Sequence, residues 1–294
     1  MDLPKLIQFA INGLMASCFY ALFAVGLALV FGVMKMINFA HGELYMLGGY
    51  TVWVLFTICS GVSRPVIFIF SVIVAALLVG ALSILIERLL FRPLRANPFA
   101  GFLASLSLAY ILQVLVARVF GVLQKNLPSI FPGVMAIGGA ILPIQRLVVM
   151  ILSVTMILSL WIFLMYTKTG RGIRASAQDS EVTALHGVGI NRTSAIAMAI
   201  GGSLAAIAGV LMGSLIQIGP IMGDAIIWKA FNVVIVGGLG SIPGAIVASL
   251  LFGFLDTAII TYIDQQLVIM IDVLIMLLVL AFRPQGILGR EKEG

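Results

Sequence analysis

The chain has 294 residues, 62% of them hydrophobic and only 10% charged, with a mean hydropathy of +1.21. Soluble globular domains run at about 45–50% apolar and about 25% charged, so a water-soluble fold is excluded. The net charge of +6 rests on 17 Lys and Arg, but these are scattered singly between apolar runs and form no basic face of the kind nucleic acid requires.

A hydrocarbon core about 30 Å thick takes roughly 20 helical residues to cross, and only helices or closed barrels satisfy their backbone in lipid. The apolar runs here are too long and alternate too weakly for barrel strands. The expected fold is therefore all-α, a polytopic transmembrane helical bundle. Met1-Asp2-Leu3-Pro4-Lys5 leads straight into apolar sequence without a cleavable leader pattern, so the first span is expected to serve as its own insertion signal.

Residues 11–34 form that span, with Gly13, Ser17 and Ala21, then Ala24, Ala28 and Gly32, repeating as small side chains that let helices approach closely. A second span, 37–60, carries Asn38, His41 and Glu43 in its first turns. A third, 65–90, ends in Glu87, Arg88, Arg92 and Arg95. Pro93 and Pro98 punctuate the link to a fourth, 99–119. Residues 121–143 are rich in Gly and Pro and read as an extracytoplasmic loop, followed by a fifth span at 146–166. The only long polar stretch, 168–192, precedes a sixth span at 194–218, in which Gly201, Ala205, Gly209 and Gly213 form another small-residue stripe. Residues 225–262 read as two segments meeting at a helix break over Gly237, Gly238, Gly240, Pro243 and Gly244. A last span, 267–282, carries Asp272 near its middle. Cys18 and Cys59 lie inside apolar runs and read as packing residues.

Placing the polar stretch inside puts Lys35, Arg88, Arg92, Arg95, Lys168, Arg171, Arg174 and Arg192 on the cytoplasmic side, as the positive-inside rule wants. The amino terminus is then outside. Two crossings within 225–262 return Arg283, Arg290 and Lys292 to the cytoplasm. This gives nine membrane segments, or eight if one half is re-entrant.

Within the polar stretch the residues predict one short helix from Ser176 to Gly187, with Asp179 and Glu181 in its first turns and Gly187 and Gly189 at its end. Val182, Leu185 and Val188 fall on one side. The stretch is either a solvated loop packed on its own protein or a coupling helix gripped by an ATPase. No GxxxxGK[ST] occurs, so this chain does not cradle a nucleotide in the P-loop manner. The break at 237–244 reads as a broken helix or tight crossing, with a substrate-lining role as the alternative. Asn38, His41 and Glu43 are either solvated at a membrane boundary or buried on a translocation path. HExxH is absent, so His41 and Glu43 are not a zinc site. Asp272 sits deeper and demands a polar partner or aqueous cavity. Asp224 and Lys229 read as boundary residues flanking a span. No nucleophile and base arrangement can be assembled, so no enzyme active site is expected.

Four stretches carry a resemblance. Met36 to Glu43 with Tyr45-Met46, Gly170-Arg171 through Ala175, Asp179, Leu185 and Gly187 to Asn191, then Gly237 to Ala245, and Gly286 to Arg290 run in order along the chain. Through them it resembles the LivH-type permeases of branched-chain amino acid ABC importers. The resemblance implies a single permease domain over 1–294 that imports Leu, Ile and Val. It implies a second related permease, forming a heterodimer, two cytoplasmic ATPases that bind the ATP and Mg, an extracytoplasmic solute-binding protein, and a bacterial inner-membrane location. The chain itself would bind no cofactor. The loop at 175–191 then corresponds to the ATPase coupling site, with Ala175, Asp179, Glu181, Ala184, Leu185, Gly187 and Gly189 in it. Asn38, His41, Glu43 and Asp272 are the candidate pathway or gate residues. Val188, standing between Gly187 and Gly189, departs from the family pattern. Related permeases for urea, amides or other amino acids share much of it, and an ion-coupled secondary carrier is the alternative from another class.

Overall fold

The computed structural model describes residues 3–289. Arg290 and Lys292, which enter the charge argument, lie outside the described residues. The described residues are an all-α bundle: α1 (Leu3–Met34), α2 (His41–Ile58), α3 (Arg64–Ile86), α4 (Pro98–Phe120), α5 (Ile144–Tyr166), α6 (Lys168–Gln178), α7 (Ser180–Leu185), α8 (Ile190–Gly213), α9 (Met222–Gly237), α10 (Ile242–Tyr262) and α11 (Val268–Phe282). Seven helices are long and apolar enough to cross a membrane, and α2 and α9 complete nine apolar segments. The broken helix is present, because α9 ends at Gly237 and α10 starts at Ile242.

The centre of the bundle is α8, packed against α1, α2 and α3 through small residues. A Cβ at Gly48 would overlap the Ala206 carbonyl, and one at Gly209 would overlap that of Tyr45. Without a hydrophobic drive between helices in lipid, this close backbone approach supplies the association energy. The small stripe on α1 does the same against α10, where Gly13 faces the Phe254 ring and Ser17 Oγ donates to the Leu250 carbonyl at 3.3 Å.

The loop 121–143 carries a hairpin of β1 (Val134–Ile137) and β2 (Ala140–Pro143), turning at Gly138 and Gly139, both with positive φ as a two-residue hairpin turn requires. The sixth span is shorter than expected. Helix α8 stops at Gly213, and residues 214–221 fold back, with Ile218 bridged to Lys125 before α9 begins at Met222.

Two further expectations are corrected. The helix predicted from Ser176 to Gly187 is two helices broken at Asp179, whose carboxylate accepts from the Glu181 and Val182 backbone at 2.8 and 3.0 Å. An Asp able to cap is a better helix start than a mid-helix residue, so the chain restarts there. The second span begins its helix only at His41. Lys35 takes φ +54°, rare for a non-glycine residue, and turns the chain back so that Met36 to Ala40 run non-helically alongside α1.

Candidate functional site

That non-helical segment sets the first polar centre. His41 packs its ring 5.0 Å from Phe23, about three helical turns back from the end of α1, so α2 starts inside the bundle and not at its edge. Irregular backbone at membrane depth is tolerated only where protein or a cavity surrounds it. Ser105 of α4 supplies part of that surround, its Oγ accepting from Phe39 N at 3.1 Å and donating to the Phe102 carbonyl at 2.7 Å. Asn38 is buried, with its Nδ2 against Met198 Sδ at 3.8 Å.

Two residues beyond His41, Glu43 is 1% exposed. Gln113 Nε2 of α4 donates to Glu43 Oε1 and to Asp224 Oδ1 of α9, both at 2.8 Å. The boundary reading of Asp224 is thereby corrected to a place in this bridge. Backbone contact of Gly42 with Gly223 brings the two acids together, since a Cβ at Gly42 would lie 2.7 Å from the Gly223 carbonyl oxygen. Phe39, Glu43, Leu106, Ala109, Tyr110, Gln113, Asp224, Ile227 and Trp228 enclose a cavity of about 150 Å³. Of this lining, Tyr110, Asp224 and Trp228 are exposed.

The second polar centre lies on another face of α9. Lys229 Nζ, buried, donates to Asp256 Oδ1 of α10 at 2.6 Å and to Asp272 Oδ2 of α11. Tyr20 of α1 donates its hydroxyl to Asp256 Oδ2 at 2.7 Å. The Lys229 ammonium also stands 5.1 Å from the Tyr20 ring centroid and 4.8 Å from that of Phe252. The boundary reading of Lys229 is overturned, because a single buried cation here holds two carboxylates. Asp272 finds the polar partner its depth demanded, in this cluster and apart from Asn38, His41 and Glu43. Gln113, Asp256 and Tyr20 were not singled out from sequence. Opposite charges inside neighbouring apolar runs were the available signal.

At the polar end, Thr167 caps α6 by accepting from Gly170 N at 2.9 Å, and Lys35 Nζ donates to the Ala177 carbonyl at 2.7 Å near the end of α6. Arg95 Nη1 donates to Asn191 Oδ1 at 2.9 Å, while buried Glu87 holds Arg92 at 2.7 Å and Arg95 at 3.3 Å. These contacts fix the two ends of the α6–α7 hairpin. Between them Ala184 and Glu181 are exposed, Leu185 is 87% exposed, and Gly187 turns the chain with φ +80°. Ala175 is half-buried and Gly189 exposed.

At the break, Gly238 and Gly240 take φ +106° and +82°, Pro243 opens α10, and Gly237 and Gly244 stack backbone to backbone. Ile287 N and Leu288 N donate to the Val236 and Gly237 carbonyls at 2.8 and 3.1 Å, which places the Gly286 to Gly289 motif over the open end of α9.

A family profile described as the permease component of the branched-chain amino acid transport system matches residues 9–282. The chain is 34% identical over 299 aligned residues to the high-affinity branched-chain amino acid transport system permease protein LivH of Escherichia coli K12, covering 97% of this chain and 96% of that one. It is 32% identical to BraD of Pseudomonas aeruginosa over the same shares, and 30% identical to a probable LivH of Methanocaldococcus jannaschii, covering 91% of this chain and 88% of that one. No solved structure matches.

Proposed function

The chain belongs to the family of branched-chain amino acid transport permeases, and on that footing we propose that it forms one wall of the pathway in an ATP-driven importer of Leu, Ile and Val. The match along nearly the whole chain carries this reading. It is a multi-pass membrane permease, and the family works with ATPase and binding-protein partners. The finer reading places it in a bacterial inner membrane with the α6–α7 hairpin, within 168–192, in the cytoplasm. Hydrolysis then belongs to two partner ATPases carrying ATP and Mg, since this sequence holds no P-loop.

Exposed Leu185 and Val182 on α7 suit a partner's groove, and Ala175, Asp179, Glu181, Ala184, Gly187 and Gly189 shape that surface. Asn38, His41 and Glu43 line or gate the pathway. The exposure of the cavity-lining Tyr110 on α4 and Trp228 on α9 supports a pathway completed by a second, related permease packed against those helices. A loaded external binding protein docks at the opposite end, where the 121–143 loop carries the β1–β2 hairpin, and closure of the motor pair shifts α6 and α7. The cluster at Asp272 holds helices together in this reading.

The test is ATP-driven uptake of radiolabelled leucine by the full complex in proteoliposomes, with urea and acetamide as competitors. Uptake that needs ATP and the binding protein, and ignores both competitors, is expected. The buried Lys229 cluster favours one other reading, an ion-coupled carrier. Uptake by the lone chain under a proton gradient would establish that instead.

A further inference from the structure

We propose that the cavity between α2, α4 and α9 recognises an organic ammonium group, with Glu43 as its counter-ion. The inference rests on the reading of this groove as part of the pathway and names the chemistry it selects.

The cavity is lined by two carboxylates and by no Lys, Arg or His. Gln113 spends its two amide hydrogens on them, one each to Glu43 Oε1 and Asp224 Oδ1. Its donors are then exhausted. Glu43 Oε2 is left without a hydrogen-bond partner among the described residues, on a side chain that is 1% exposed. A buried carboxylate oxygen facing no donor is costly, more so with a second carboxylate beside it. A partner that donates hydrogen bonds and carries positive charge answers both costs at once.

The walls decide what kind of cation. Phe39, Tyr110 and Trp228 offer ring faces, which attract organic cations. The Phe39 and Trp228 rings meet edge to face at 5.3 Å, which fixes their planes. Leu106, Ala109 and Ile227 complete an apolar lining suited to an alkyl chain attached to the cation. A hard metal ion wants about six or more oxygen ligands, and this lining supplies few beyond the two half-used carboxylates. The Gly42 and Gly223 backbones touch, so Glu43 and the neighbouring Asp224 are held at fixed separation whether or not a guest is present. An ammonium donating to Glu43 Oε2, with its alkyl part along the aromatic wall, supplies the donor that oxygen lacks.

The experiment measures binding of radiolabelled isoamylammonium to the permease with its partner subunits in nanodiscs, without the external binding protein. Saturable binding is expected, displaced by unlabelled isoamylammonium but not by isoamyl alcohol, isocaproate or sodium chloride at the same concentration. Glu43→Gln should weaken it roughly tenfold or more, the loss of one charged hydrogen bond, and Asp224→Asn should weaken it less. Absence of saturable binding, displacement by the alcohol or by sodium, or unchanged affinity in Glu43→Gln would each overturn the proposal. The competition series uses the unaltered protein, so a variant that fails to assemble does not remove the test. Leucine uptake by the same preparation is read alongside. Uptake without ammonium binding removes the site and leaves the importer, whereas binding without any amino acid uptake removes the importer and leaves the site.

Discussion

Replacing Lys229 with Met is the sharpest probe of how the membrane helices hold together. The change keeps the length of the side chain and removes the cation that, among the described residues, pairs with Asp256 and Asp272. Both carboxylates are almost fully buried, at 2% exposure each, so neither recovers the lost partner from water. Breaking a buried pair from one side costs about 3–5 kcal/mol, whereas an average interhelical hydrogen bond in a membrane contributes only about 0.6 kcal/mol. The geometry favours the larger figure, because one ammonium serves two acids and two aromatic faces at once. Helix α11 should suffer first. Asp272 is its only buried residue, and the rest of its contact comes from half-buried Ile275, Met276 and Val279. Unfolding free energies from SDS titration of Lys229→Met, Asp272→Leu and the double variant close a thermodynamic cycle. A loss of about 3 kcal/mol in Lys229→Met, with a coupling energy to Asp272 above about 1.5 kcal/mol, is expected. A coupling near zero would refute the claim that this ion pair fastens α11.

Three other outcomes follow from the same contacts. Ala184→Arg or Leu185→Glu on α7 should abolish uptake and leave the ATPase unstimulated by binding protein, while the chain still inserts; pull-down of the ATPase and uptake check it, and normal transport would sink the docking surface. Gly48→Ala should destabilise the bundle by about 1–3 kcal/mol, the range for overpacking a tight interior, since its Cβ would overlap the Ala206 carbonyl; thermal unfolding of the purified chain measures it. Lys35→Met should cost only about 0.3–1 kcal/mol of stability, the scale of a cation near a helix C-terminus, yet lower the leucine moved per ATP hydrolysed, because Lys35 joins α6 to the segment that carries Phe39 into the cavity.

The apolar segments were legible because run length and positive charge are direct consequences of the bilayer. The break at Gly237 to Gly244 was legible because glycine and proline mark where helices stop. What stayed hidden depended on pairing across the chain. Lys229 reaches Asp256 and Asp272 at separations of 27 and 43 residues, and no local pattern announces such a partnership. Charge near the end of an apolar run was read as a boundary, although the rule that buried charges occur in pairs pointed the other way. Gln113 looks like any single polar residue in a span until its two acceptors are known. The non-helical Met36 to Ala40 was hidden in a run of ordinary hydropathy, and Asp179 was placed inside a helix although its side chain is a strong N-cap. Among the candidate residues, Asn38, His41 and Glu43 are near in sequence but meet Met198, Phe23 and Gln113 respectively, and of the three Glu43 alone lines the cavity, while Asp272 belongs to a separate cluster.

Helix α9 joins the two polar centres and gives them different jobs. Asp224 and Lys229 are about 140° apart around it at 100° per residue, so Asp224 meets α2 and α4 while Lys229 meets α1, α10 and α11. The first contact is made through a neutral amide and one glycine pair. The second is made through an ion pair, a phenol and two aromatic rings, and the far end of α9 is closed by Gly244 and the Gly286 to Gly289 turn. A displacement that separates α4 from α2 and α9 breaks two hydrogen bonds, whereas one that separates α9 from α10 and α11 exposes unpaired charge in lipid. Helices α9, α10 and α11 are therefore the unit that stays together, and the seam that yields most cheaply runs through the cavity holding Glu43. Phe39 also lines that cavity, on the segment that begins at Lys35 and is tied to the end of α6. A displacement of α6 would thus be passed through Lys35 and Phe39 to the Gln113 bridge, which two hydrogen bonds and no ion pair hold closed.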